Sequence, residues 1–287
     1  MRPNMTTVNR NAHRAENTAQ NAATSTWMTG LARFGYAVKG IVYLIIGGLA
    51  LKLAIGHGGA ATDQRGALQT IYEQPFGKFL LIIAGIGLVG YALWSFIQAI
   101  YDTEGKGTKA KGILARVGYA AVGVAYALLA FGALQLALGT GSVGQHSSTT
   151  TQDWTARLLK LPFGQAIVVI VGLIVLGVAF YLFNKAYSAK FQNQLALTGR
   201  PARLRRWIVD LGRLGYAALG VVFTIMGIFL VVAALQHNPS QAKGLDTSLQ
   251  ELLHQPFGPL LLGIVALGLF CYGIYSLIEA RYRRVGK

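Results

Sequence analysis

Three arginines recur in one local setting. Arg33-x-Gly35-Tyr36, Arg116-x-Gly118-Tyr119 and Arg213-x-Gly215-Tyr216 each open an apolar run. A guanidinium presents its donors as a planar fork that matches carboxylate and phosphate oxygens. Brought together with their tyrosines, the three are candidates for holding an anionic lipid headgroup. A cation is disfavoured at a helix N-terminus, so the placement has some other cause, and topology anchoring is the economical one. The segment Arg200 to Trp207 adds Arg203, Arg205 and Arg206 beside an indole. At about 1 kcal/mol per base near an anionic surface, this stretch is a second candidate contact for acidic lipid, and topology determination again accounts for the charge without ordered contact.

Lys39 is the charge set deepest in an apolar run. It follows Arg33 by six residues, about 9 Å of helix rise. The matching positions of the other two runs are Val122 and Leu219. An intramembrane ionisable residue is a functional candidate because its burial is costly, yet from this depth snorkelling to the headgroups is the simpler expectation. Lys52 carries the same expectation at the other end of the run. Four of five histidines, His57, His146, His237 and His254, fall between runs. Convergence would let them bind a divalent metal or sense pH, but solvated loop histidines are the plainer reading, and no metal or cofactor is assigned. Cys271 stands alone, so no intrachain disulfide forms. Phosphate-binding loops, nucleophile elbows and paired-cysteine zinc motifs are absent. Acidic residues fall almost wholly outside the apolar runs, and the reading is non-enzymatic.

These residues sit in a chain built for lipid. Of 287 residues, 53% are hydrophobic and 13% charged, against about 25% charged in a soluble domain. Six windows reach the roughly 20 apolar residues a spanning helix needs: 34–56, 79–100, 116–138, 165–187, 213–235 and 258–279. A net charge of +16 would suit nucleic acid, but the bases flank apolar windows, which indicates anionic headgroups as partners and no nucleic acid. Nineteen Lys and Arg lie on the side of the termini and five on the other. That asymmetry predicts an inner-membrane protein with both ends cytoplasmic.

The windows repeat as three helical hairpins. Pro75-Phe76-Gly77, Pro162-Phe163-Gly164 and Pro256-Phe257-Gly258 open the even spans as the arginine elements open the odd ones. Small residues recur every seven positions, among them Gly40, Gly47, Gly123, Gly220 and Gly227 on odd spans and Gly85, Gly172 and Gly273 on even spans. Such a seam lets backbones touch in left-handed packing; the competing reading is that the glycines line a channel or act as hinges. Ahead of each proline lies a short amphipathic pattern suited to the membrane surface, and Thr247 with Gln250 resembles a capping box that would start the third.

The three Arg-x-Gly-Tyr hairpins closed by Pro-Phe-Gly resemble the bacterial membrane family known as domain of unknown function 1206. The resemblance covers about residues 31–283 and implies a six-span bacterial membrane protein of tandem hairpins, with no reaction or ligand to carry over. The second copy departs most, with Leu161 in place of Gln74 and Gln255, and Val178 in place of Tyr91 and Tyr272. The expected architecture is an all-α membrane protein: a disordered tail (1–30), hairpin 1 (31–104), hairpin 2 (113–190), a basic linker (191–210) and hairpin 3 (211–283), with the hairpins able to surround a pseudo-threefold axis. The expected function is binding of lipid or of a membrane-protein partner, the alternative a small channel or transporter with a path between hairpins.

Overall fold

A computed structural model describes residues 26–101, 107, 109–140, 147–197 and 199–283. Among these residues there are nine α-helices. Six are long and apolar enough to cross a membrane: α1 (Thr26–Ala54), α3 (Gly77–Tyr101), α4 (Ala110–Ala137), α6 (Gly164–Ser188), α7 (Ala202–Leu235) and α9 (Gly258–Tyr282). The other three, α2 (Gln64–Tyr72), α5 (Ser147–Leu159) and α8 (Leu245–Leu253), lie between the spans of each repeat. The end carrying them is called here the loop face, and the end carrying the basic connections the basic face.

The spans pair most closely between repeats rather than within them. Each even span lies along the odd span of the next repeat: α3 on α4, α6 on α7, and α9 on α1. The glycine seam makes all three contacts in one register. A Cβ on Gly40 would meet Leu277, on Gly123 the ring of Phe96, and on Gly220 the ring of Phe183, each at 2.9 Å. Those partners occupy one repeat position. Further along, Gly47 lies against Phe270, Gly227 against Leu176, Gly85 against Leu134, Gly172 against Val231 and Gly273 against Leu44. Three repeats, each touching both others through the same interface, form a pseudo-threefold ring of spans.

Within repeats, α1 packs on α3 and α7 on α9. Gly35 approaches the backbone of Tyr91 and Gly215 that of Tyr272, where an added Cβ would come to 2.6 Å and 2.7 Å. The same contact is not made in the second repeat, where a Cβ on Gly118 would meet nothing within 4 Å. The order around the ring is therefore α4, α3, α1, α9, α7, α6, open between α6 and α4.

The Pro-Phe-Gly element is a helix-to-helix corner. Phe76, Phe163 and Phe257 are left-handed, at φ 63°, 62° and 60°, a region that costs non-glycine residues energy. The next residue must be glycine, because a Cβ on Gly77, Gly164 or Gly258 would fall within about 2 Å of a carbonyl ending the preceding short helix. The three prolines thus precede the even spans rather than opening them. Asp63 caps α2, its carboxylate accepting from the Gly66 amide at 2.8 Å. In α8 the cap is Gly244, whose amide donates to Thr247 Oγ1 at 3.1 Å, so Thr247 sits inside the helix rather than starting it.

Two sequence boundaries shift. α1 begins at Thr26, inside the expected tail, and residues 1–25 lie outside the described residues. The expected linker is ordered in two parts: a 3-10 turn at Lys190–Gln194, and the first turns of α7. Phe191, Leu195 and Leu197 are buried, and Ala196 donates its amide to the Tyr282 carbonyl at 2.7 Å. The connection is pinned to the end of α9.

Candidate functional site

Lys39 turns into the ring. Its side chain is only 6% exposed, so it does not snorkel. The reason is geometric: it lies on the face of α1 that carries Tyr36 and Tyr43 between α3 and α9. Its ammonium donates to the Tyr91 hydroxyl at 3.1 Å and lies 4.8 Å from the ring centre of Tyr272, 5.0 Å from Tyr91 and 5.7 Å from Tyr36. Among the described residues no carboxylate is within ion-pair distance of it. Phenol faces attract a cation through their quadrupole, but they do not neutralise it.

Around Lys39 the tyrosines form a continuous cluster. Tyr91 meets Tyr36 and Tyr126 edge-on at 5.0 Å and 4.5 Å, and Tyr272 meets Tyr43 at 4.8 Å and Tyr216 at 5.4 Å. Toward the loop face the cluster ends at Gln64 of α2, whose amide donates to the Tyr43 hydroxyl at 3.1 Å. Toward the basic face it reaches Arg283, which stacks on Tyr36 at 4.8 Å and pairs with Glu279 at 2.6 Å. Both members of that pair are buried. Phe191 closes this end, packed against Tyr216 and Tyr275 at 5.2 Å each. A line of hydroxyls and charges thus runs from Gln64 of α2 to Arg283, with Phe191 packed against its far end.

Trp94, buried with Tyr36 and Tyr91, has an indole N–H with no hydrogen-bond partner among the described residues. Lys39 brings an ammonium, and Glu279, the one carboxylate of the cluster, already receives Arg283. An excess of positive charge with an unpaired N–H in a low-dielectric interior fits an acceptor-rich, negatively charged guest.

The arginine elements split up. Arg33 and Arg213 are exposed, while Tyr36 and Tyr216 are buried in the ring and Tyr119 is half-buried. Arg116 is half-buried and donates to the carbonyls of Ala99 and Ile100, at 2.6 Å and 2.7 Å, at the end of α3. Guanidiniums and tyrosines therefore do not share one headgroup surface. Arg203, Arg205 and Arg206 stand exposed on the first turns of α7 beside exposed Trp207. Lys52, His57, His237 and His254 are exposed, Cys271 is buried, and His146 lies outside the described residues.

The tyrosine cluster around Lys39 is not apparent from the apolar windows alone. One signal was available: at a single register of the even spans stand Gln98, Lys185 and Glu279, polar in all three copies. Two of them, Gln98 and Glu279, are buried, and Lys185 lies 4.2 Å from the Tyr216 ring. Phe191 gave no such signal, because it lies outside the repeat.

Fold and core together define a multi-pass membrane protein of three tandem two-span repeats around a charged aromatic centre. The profile of the family described as Domain of Unknown Function (DUF1206) matches residues 34–102, 117–189 and 214–283, and the chain belongs to that family. It is 35% identical over 262 residues to the uncharacterised protein YxxB of Bacillus subtilis (strain 168), covering 91% of this chain and 94% of the relative. No solved structure matches it.

Proposed function

We propose that the protein is a non-enzymatic transport protein of the bacterial inner (cytoplasmic) membrane, which takes a small anion into the centre of its ring with Lys39 as counter-charge. The observation that carries this reading is the buried Lys39 ammonium, held by one hydroxyl and three phenol faces without a carboxylate. Ionisable groups inside spans mark solute and ion pathways, and the unpartnered Trp94 N–H adds a second donor near the same tyrosines. Gln64 of α2 and Phe191, at the two ends of the line, are the groups that would have to move to open such a path. Both termini are cytoplasmic in this reading, supported by the nineteen-to-five distribution of bases.

Purified protein in liposomes, driven by a potassium diffusion potential and offered labelled chloride, phosphate, acetate and succinate, tests it. Uptake of at least one anion above empty vesicles, lost in Lys39→Met, is expected. Equal uptake by both proteins, or none for any anion, overturns the reading.

A second reading has its own observation. The exposed Arg203, Arg205, Arg206 and Trp207 form a basic, aromatic start to α7 suited to anionic headgroups of the cytoplasmic leaflet. Lipid is then a partner at the surface rather than a cargo.

A further inference from the structure

The opening of the ring has a cause in the sequence. Where α1 meets α3, Gly87 admits Val38, and where α7 meets α9, Gly268 admits Ala218; a Cβ on either glycine would come within about 2.5 Å of that neighbour. The matching residue of α6 is Ile174, equally twelve positions after its proline. Its branched side chain denies α4 and α6 the same approach. The walls left apart are those buried in the other repeats. Gly118 and Gly177, equivalent to the packed Gly35 and Gly90, have nothing within 4 Å of an added Cβ. Tyr181 is 54% exposed, whereas its equivalents Trp94 and Tyr275 are 2% and 0% exposed.

We propose that the opening between α4 and α6 seats the acyl chain of one anionic phospholipid, with its headgroup at the basic face. Two observations choose this occupant. The opening is continuous with established helix interfaces and lies within the apolar length of both spans, where hydrocarbon, not water, is the available filler. Its walls also carry charge of one sign at one end. α4 and α6 contain no Asp or Glu, and every Lys or Arg on them falls in the turns at the basic face. Arg116 and Lys185 are engaged by α3 carbonyls and the Tyr216 ring, while Lys109 and Lys190, just beyond the ends of the two helices, stand exposed. A lipid with a phosphate and a second acidic or hydroxyl-rich group meets both demands, whereas a choline headgroup places a cation against those bases.

Native mass spectrometry of the full-length protein, delipidated and then offered phosphatidylglycerol or phosphatidylcholine, tests the proposal. One phosphatidylglycerol is expected to survive activation where phosphatidylcholine is stripped. Gly118→Leu, which fills the opening, and Ile174→Gly, which lets it close, are each expected to lose that lipid while keeping the wild-type unfolding midpoint. Lys39→Met should keep it, which separates this site from the central one. Retention of the lipid by both opening variants overturns the proposal, as does equal retention of the two lipids. So does efficient crosslinking between copies through a cysteine at Gly118 in a Cys271→Ala background, because a second chain would then fill the opening.

Discussion

At Lys39 the terms of burial nearly balance. Three cation–π contacts of about 0.5–2 kcal/mol each and one hydroxyl bond stand against several kcal/mol for taking an ion from water. A group that adds little net stability can be removed without loss of the fold. Lys39→Met, of similar volume and apolar, is expected to leave thermal stability in detergent unchanged or raise it by up to about 1–4 kcal/mol, while abolishing anion uptake. A clear fall in the melting temperature would instead make Lys39 a structural group. Glu279 is the opposite case, since Glu279→Gln leaves Arg283 buried without its carboxylate. That change should destabilise by about 3–5 kcal/mol, and Glu279→Gln with Arg283→Gln should recover much of the loss, as read by the same melting curves.

The spans and their seam were legible because both obey simple rules, one of length and apolarity, the other of small residues every seven positions. What the rules left open was the partner: hairpin order suggests packing within a repeat, yet Gly123 of α4 meets Phe96 of the preceding repeat, and Gly118 on the same helix meets nothing. The contrast makes a paired prediction. Gly123→Leu forces a side chain into the Phe96 ring and should cost about 1–3 kcal/mol, whereas Gly118→Leu should stay within about 0.5 kcal/mol; equal unfolding midpoints would mean that the seam is not a close contact. The linker was illegible for another reason. Phe191, Leu195 and Leu197 are too few and too mixed with polar residues to register as a buried element, and their burial depends on the end of α9. The basic start of α7 can be tested as a segment. A peptide of residues 198–212 should bind acidic vesicles at low salt and release as screening shortens to about 8 Å near physiological ionic strength. If replacing Arg203, Arg205 and Arg206 with Gln left that binding intact, the charges would serve topology alone.

Across the whole molecule, one repeat written three times gives a ring whose contacts can be read by register, and the exceptions carry the information. Lys39 replaces an apolar residue in one copy, and Ile174 replaces a glycine in another. The first puts a charge among the tyrosines of the centre, and the second keeps α4 and α6 apart. A sequence reading that weighed only what the copies share would pass over both. The orientation expected for this ring rests on charge: in the sequence, nineteen bases lie in the segments on the side of the termini and five between the two spans of each repeat. Three corners offer a direct measurement, because Phe76, Phe163 and Phe257 are exposed at equivalent points of the loop face. With Cys271 replaced by Ala, single cysteines at these positions in intact cells should react with a membrane-impermeant maleimide, while cysteines at Arg203 or Arg206 should react only after permeabilisation. Replacing Arg203, Arg205 and Arg206 together leaves sixteen of the nineteen bases, so the labelling pattern should survive that change. Reversed labelling would place α2, α5 and α8 inside the cell and the Phe191 end of the ring outside.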